Sequence, residues 1–213
     1  GVTFASGGNF TVEVDGTGAG TADVAAITGD LDITNADLVI SELVTADDSE
    51  YLIATYTGSL TGTTFATTSG VPAGYGVQVN TTNQTISLVQ IAVLVVESGA
   101  TPSTDATDGG ATDSFEVSLS AFPTSTVTVT LTPDADVDFG AGAGNPLALT
   151  FTSTNAQTAQ TVNVTAFDDA LVEGPHTSTI TLATTGAITT SSFTLNGTPG
   201  ATQVVTNITD NDT

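Results

Sequence analysis

Ser114-Phe115-Glu116-Val117-Ser118-Leu119 and Val127-Thr128-Val129-Thr130-Leu131 each alternate a large apolar side chain with a polar one. Period two puts the apolar set on one face of an extended chain and the polar set on the other, so each segment reads as a strand with one buried face. The β-branched Val and Thr that fill them suit a pleated, half-buried surface. The alternation recurs at Leu147, Leu149 and Phe151, at Val162 and Val164, and at Ile180 and Leu182. Clusters of Gly, Pro, Asp and Ser, the residues that turns require, separate these segments. No stretch carries a helical period. About seven strands at this spacing imply an antiparallel β-sandwich of the immunoglobulin-like kind.

Toward the N-terminus the chain stays β-rich, but its spacing loosens and Gly becomes frequent. Phe10–Val14, Asp30–Thr34, Asp37–Val44, Tyr51–Thr57 and Thr85–Val89 read as strands, and Val71-Pro72-Ala73-Gly74-Tyr75 as a turn. The 213 residues suffice for two modest cores. The expected organisation is all-β: residues 1–90 form a β-rich domain, either a sandwich or a short solenoid, and residues 91–213 the sandwich. The boundary falls near 88–97, where the run from Thr85 to Glu97 is long enough to leave one domain and open the next. No strong internal repeat is visible, so the halves are not copies. The start at Gly1 rather than Met reads as a processed or excised piece of something longer.

Composition narrows function sharply. The chain has 23 Asp and Glu, one His, and no Lys, Arg, Cys, Met or Trp, for a formal charge of −23. Charged residues are only 11% of the chain, against roughly 25% in an average protein, so bases are missing rather than acids in excess. Without a cation to meet phosphate, nucleic-acid binding and polybasic membrane docking are both excluded as expectations. The longest apolar run, Val89 to Val96, is far short of the roughly 20 residues of a membrane span. There is no Lys for a Schiff base and no Cys for a disulfide, a thiolate metal site or a nucleophile. A chain lacking trypsin sites and oxidisable Met and Cys is chemically durable, which suits an extracellular, cell-surface material.

The same absence shapes the acidic clusters. Asp134-Ala135-Asp136-Val137-Asp138, Asp168-Asp169 with Glu173, and Asp210-Asn211-Asp212 each follow the end of a strand, and Glu97 ends the first strand of the second half. Two like charges about 4 Å apart repel by roughly 4 kcal/mol at an effective dielectric near 20, and no internal base relieves them. Such acids serve either as ordinary turn residues or as ligands of a divalent cation. Ca²⁺ suits an all-oxygen set, taking about 6–8 ligands in flexible geometry, whereas zinc and copper want His or Cys.

At these residues the second half resembles a Calx-β domain, a Ca²⁺-binding β-sandwich module. The resemblance is carried by Ser114–Leu119, Leu149-Thr150-Phe151, Asp168-Asp169-Ala170-Leu171-Val172-Glu173-Gly174 and Ile208-Thr209-Asp210-Asn211-Asp212. It implies calcium ligands at Glu97, Asp138, Asp168, Asp169, Glu173, Asp210 and Asp212, with Asp136 as a substitute. Where the family often has a second Glu this chain has His176, a departure that would lower the ion count or weaken a site. More faintly, Tyr51–Gly62 and Pro72-Ala73-Gly74-Tyr75 are similar to segments of bacterial autotransporter-type surface passenger regions, which are non-catalytic and often solenoids.

The expectation is a non-enzymatic, calcium-stabilised subunit of a bacterial surface fibre or layer, self-associating as a homopolymer through β-strand contacts. Val2-Thr3-Phe4 and Phe10-Thr11-Val12-Glu13-Val14, near the N-terminus, are the strands expected to complete a neighbour's sheet. The alternative is an adhesive or spacer module of a larger secreted adhesin, with another surface protein or a carbohydrate as partner. An accessory domain of a secreted hydrolase ranks last, because sugar platforms want Trp and there are only three Tyr.

Overall fold

A computed structural model of the chain describes residues 1–16, 21–99, 103–107, 110, 112–210 and 212; Asn211 of the last acidic motif lies outside them. Every regular element among the described residues is a β-strand. The chain divides into two units, Gly1–Ile91 with Ala121–Thr124, and Ala92–Ser120 with Ser125–Thr213.

In the first unit the chain repeatedly returns beside itself in the same direction. Val2–Thr3 pairs in parallel with Leu31–Asp32, which pairs in parallel with Leu60–Thr61. Gly8–Asp15 pairs in the same sense with Ala36–Val44, and that strand with Thr67–Ser69. Ala25–Ile27 does so with Glu50–Tyr56. One even interval in sequence separates Val2 from Leu31, Leu31 from Leu60, and Ala25 from Ala54. Ser59 N donates to Asp30 Oδ1 at 2.7 Å across that same interval. Three short faces repeated within a residue of that spacing make a solenoid, so of the two forms expected for this half the short solenoid is the one found. Val12, Val14, Leu31, Ile33, Leu38 and Ile53 fill its interior. Winding sets the corner residues: Gly58 N donates to Gly29 O at 2.9 Å. A Cβ on Gly58 would lie 2.6 Å from Asp30 N and 2.6 Å from the Gly29 carbonyl carbon, so only glycine lets the turns stack. The third face does not continue as a winding. Thr85–Gln90 lies antiparallel to Glu50–Tyr56 and to Tyr75–Asn80, and Phe122–Pro123 closes that sheet's edge. Pro123 has no N–H to leave unpaired there.

The second unit is the expected sandwich. One sheet runs Val137–Asp138, Gln160–Ala166, Asp113–Leu119, Val93–Glu97, Phe193–Leu195, Thr198–Ala201; the other runs Ser103–Thr107, Gln203–Thr209, His176–Gly186, Val127–Pro133, Leu147–Phe151. Pairing is antiparallel except between Val93–Glu97 and Phe193–Leu195 and between Ser103–Thr107 and Gln203–Thr209. The alternation that predicts the strands also names the core: Phe115, Val117, Leu119, Val127, Val129 and Leu131 are all buried. Each such side chain contributes roughly 1.5–3 kcal/mol when withdrawn from water.

Two boundaries differ from the expectation for local reasons. Asp30–Thr34 is regular only over Leu31–Asp32, because Thr34 N turns back to Asp32 Oδ1 at 3.0 Å. The run Thr85 to Glu97 is two strands, Thr85–Gln90 and Val93–Glu97, one in each unit. Between them Ile91 N donates to Gly74 O and Ala92 N to Ser120 Oγ, both at 2.8 Å.

Candidate cation site

At one end of the sandwich, register brings three acidic segments together. His176 opposes Ile208, which sets Asp210 beside the 173–174 turn, and Val137 opposes Ala166, which sets Asp136 beside Phe167. The backbone seals the second contact, with Phe167 N donating to Asp136 O at 2.9 Å. A cavity of about 160 Å³ opens here, lined by Ala135, Asp136, Phe167, Asp169, Glu173, His176 and Ile208.

His176 is one of its walls. Nδ1 lies 2.9 Å from Gly174 O, so the tautomer that donates to this carbonyl carries its proton there. Nε2 then faces Asp136 Oδ2 at 3.7 Å and Glu173 Oε2 at 3.8 Å, and is buried without a hydrogen-bond partner among the described residues. The Gly174 carbonyl chiefly raises the His176 pKa; burial opposes this, and the charges of Glu173, Asp136 and Asp210 add to it. Asp210 braces the same turn. Its Oδ2 accepts from Glu173 N at 2.7 Å and Gly174 N at 2.6 Å, and its Oδ1 from Asp212 N at 2.8 Å. The N–H groups of Asp212 and then Gly174 are the main reasons its pKa is lowered.

The eight expected ligands therefore divide. Asp136, Asp169 and Glu173 line one cavity, and Asp210 holds the 173–174 turn. Asp212, whose N–H donates to Asp210, has a buried Oδ2 without a hydrogen-bond partner among the described residues. Asp168 is exposed. Asp138 is occupied elsewhere: its Oδ1 accepts from Gly140 N at 2.6 Å and Gly142 N at 2.8 Å, shaping the glycine loop that follows. Glu97 is 2% exposed, and its Oε2 accepts from Gly99 N at 2.9 Å. Among the described residues no three His, Asp or Glu side chains are grouped so that they could hold a metal ion. The donors are oxygens of the kind Ca²⁺ takes, and the Asp212 oxygen is one that lacks a partner among the described residues. The 167–173 segment, which carries Asp169 and Glu173, is exposed throughout.

Two roles escape the sequence reading. Asp134, first of its cluster, turns into the sandwich and accepts from the buried Ser178 hydroxyl, from Thr179 N at 2.8 Å and from Asp136 N at 3.2 Å. Half-buried, it pins a turn. His176 is the hub of the acidic end, visible in the sequence only as a departure from an expected Glu. Its place follows from the antiparallel register, which no local pattern specifies.

Against known proteins, the chain has distant structural similarity to Calx-β domains over about half its length. A crystal structure of the apo form of the Calx CBD1 domain is similar over 57% of this chain and 99% of its own, at 13% identity and a TM-score of 0.36. The calcium binding domain CBD12 of CALX1.1 is similar over 55% of this chain and 44% of its own, at 14% identity and a TM-score of 0.38. For CBD12 from CALX1.2 the shares are 56% and 45%, with 15% identity and a TM-score of 0.37. The chain thus spans less than half of each CBD12 chain. No protein-family model and no curated protein matches it.

Proposed function

We propose that this chain is a non-enzymatic structural module of the bacterial cell exterior, a subunit of a surface fibre or layer that assembles through β-strand contacts. The observation that carries the reading is the solenoid, whose windings stack in parallel and whose first and last windings end in strands at sheet edges. A sheet edge is a row of peptide donors and acceptors ready for another strand. The likeness of Tyr51–Gly62 and Pro72–Tyr75 to surface passenger segments and the chain's lack of trypsin sites and thiols support the exterior placement.

Calcium enters this reading as a stabiliser of the sandwich end, taken up by Asp136, Asp169, Glu173 and Asp212. Binding to the folded form alone raises stability by linkage. A second reading, an adhesive or spacer module, is favoured by Phe167, Leu171 and Val172, which are 48%, 62% and 69% exposed beside the acidic cavity. Negative-stain microscopy with and without a calcium chelator separates the two. Filaments that fray on chelation are the expected result; monodisperse particles in both conditions overturn the fibre and favour the adhesive module.

A further inference from the structure

We infer that the acidic cavity at the sandwich end, with the apolar loop beside it, docks an arginine side chain that a different polypeptide presents between apolar residues. The inference concerns the sandwich alone and is independent of assembly by the solenoid.

Charge sets the sign of the occupant. Asp136, Asp169 and Glu173 all line the cavity, and His176 is the one lining side chain able to turn positive. Its Nε2 stands 3.7 Å from Asp136 Oδ2 and 3.8 Å from Glu173 Oε2, too far for hydrogen bonds. Even with His176 protonated, three carboxylates against one imidazolium leave the cavity negative. The 213 residues hold no Lys or Arg, so a second copy has no basic side chain to offer and carries the same net charge of −23. The complement is a cation on another chain.

The apolar loop selects among cations. Phe167 is both a wall of the cavity and half-exposed. Between Asp169 and Glu173 lie Leu171 and Val172, the two most exposed large apolar side chains among the described residues. Leu171 N donates to Asp169 Oδ1 at 2.7 Å, which ties this pair to an acid of the cavity wall. Apolar side chains clustered beside a polar recess mark a contact surface. A hard metal ion takes oxygens and draws nothing from them. An arginine does: its methylene stem lies along apolar surface while its head seeks charge, and its guanidinium stacks on aromatic rings.

The spacing of the acids points the same way. Among the described residues no three His, Asp or Glu side chains are close enough together to hold one metal ion. A guanidinium spreads five N–H donors over three nitrogens and meets each carboxylate at about 2.7–2.9 Å from a different one. It therefore bridges acids too scattered for a single ion, in a cavity of about 160 Å³ that admits the head of a side chain. Apolar residues on either side of the arginine then rest on Leu171 and Val172.

The test uses the full chain in metal-free buffer at constant pH. His176 is the single histidine, so its ring protons are a nuclear magnetic resonance reporter in the cavity wall. A capped tripeptide of arginine between two leucines should shift them saturably. The same peptide with citrulline, neutral and of the same shape, should bind at least tenfold more weakly. Glu173→Gln should also weaken binding at least tenfold, and Leu171→Ser with Val172→Ser about threefold. Should Glu173→Gln fail to fold, as judged by circular dichroism, the loop pair and the citrulline peptide decide. Equal shifts from both peptides, or none from either, overturn the pocket. If Ca²⁺ moves the ring signals and the arginine peptide does not, the pocket falls and the calcium reading stands. If the peptide binds and Ca²⁺ at matched ionic strength does not compete, the pocket stands and calcium is not held by Asp136 and Glu173.

Discussion

In the sandwich Val127 faces Phe151 on one side and Gly186 on the other, the second partner much farther along the chain than the first. In the solenoid Leu31 faces Val2 and Leu60, one winding back and one winding on. Both regions are woven from Thr- and Val-rich strands, yet they solve burial differently. The sandwich closes two sheets over one core and needs distant segments to meet together. The solenoid adds one winding at a time, each supported by its neighbour, so its stability is close to a sum of windings and interfaces. Distant pairing makes the sandwich the slower to form. Translation without closure leaves Val2–Thr3 and Leu60–Thr61 at the two edges of the first-face sheet.

Intrinsic probes can break this contrast. Tyr51, Tyr56 and Tyr75 are the three tyrosines of a chain without Trp, and all lie in the first unit. Tyrosine fluorescence therefore reports the solenoid, while far-ultraviolet circular dichroism reports both units. Phe151→Ala empties a fully buried site and should cost about 3–5 kcal/mol in a denaturant titration, moving the dichroism curve and leaving the fluorescence curve in place. Gly58→Ala forces a Cβ against the Asp30 and Gly29 backbone and should cost about 2–3 kcal/mol, with the fluorescence transition moving. If each substitution shifts both curves equally, the units unfold as one and the contrast fails.

Calcium sharpens it, because its proposed ligands are all in the sandwich. At a hundredfold excess over its dissociation constant, Ca²⁺ should add about 2.7 kcal/mol to the sandwich transition alone. Asp136→Asn with Glu173→Gln should remove most of that gain. An equal gain from Mg²⁺ or from salt at matched ionic strength would show screening instead of a site. Asp134→Ala deprives the buried Ser178 hydroxyl and Thr179 N of their acceptor and should cost about 1–2 kcal/mol without altering the calcium response.

The smallest effect is a titration. In metal-free buffer the His176 ring, followed by nuclear magnetic resonance, should titrate above its ordinary 6.5, owing first to the Gly174 carbonyl. A folded value above the unfolded one means the imidazolium favours folding. That contribution is fully present below about pH 6.5 and is lost as pH rises through the folded value. A ring titrating at or below 6.5 would show that burial outweighs the Gly174 carbonyl and the neighbouring carboxylates.

Much of the sandwich was legible because burial on one face imposes period two, and Phe115, Val117, Leu119, Val127, Val129 and Leu131 wrote it plainly. The solenoid was half legible. Its strands show the same local alternation, but a parallel return once per winding asks only that stacked positions be compatible, not alike. Phe10, Leu38 and Thr68 are stacked partners that carry an aromatic ring, a branched alkyl chain and a hydroxyl, so no repeat appears in the letters. Of the candidate site, acidic loops at strand ends were readable as turn-formers or ligands. Which carboxylates converge was not. Asp138 and Asp134 sit in the same run as Asp136, yet backbone hydrogen bonds turn them to other tasks. That choice depends on which peptide N–H groups lie within reach, a property of register.

The fixed pitch of the first unit has an evolutionary corollary. Because every winding consumes about the same length of chain and rests on an equivalent predecessor, an in-frame duplication of the codons for one winding inserts a whole storey and disturbs no other. Each storey lengthens the column by about 4.8 Å, the distance between adjacent strands. The unit is in effect a ruler, and kindred chains that differ in its length are expected to differ by complete turns and not by fractions of one.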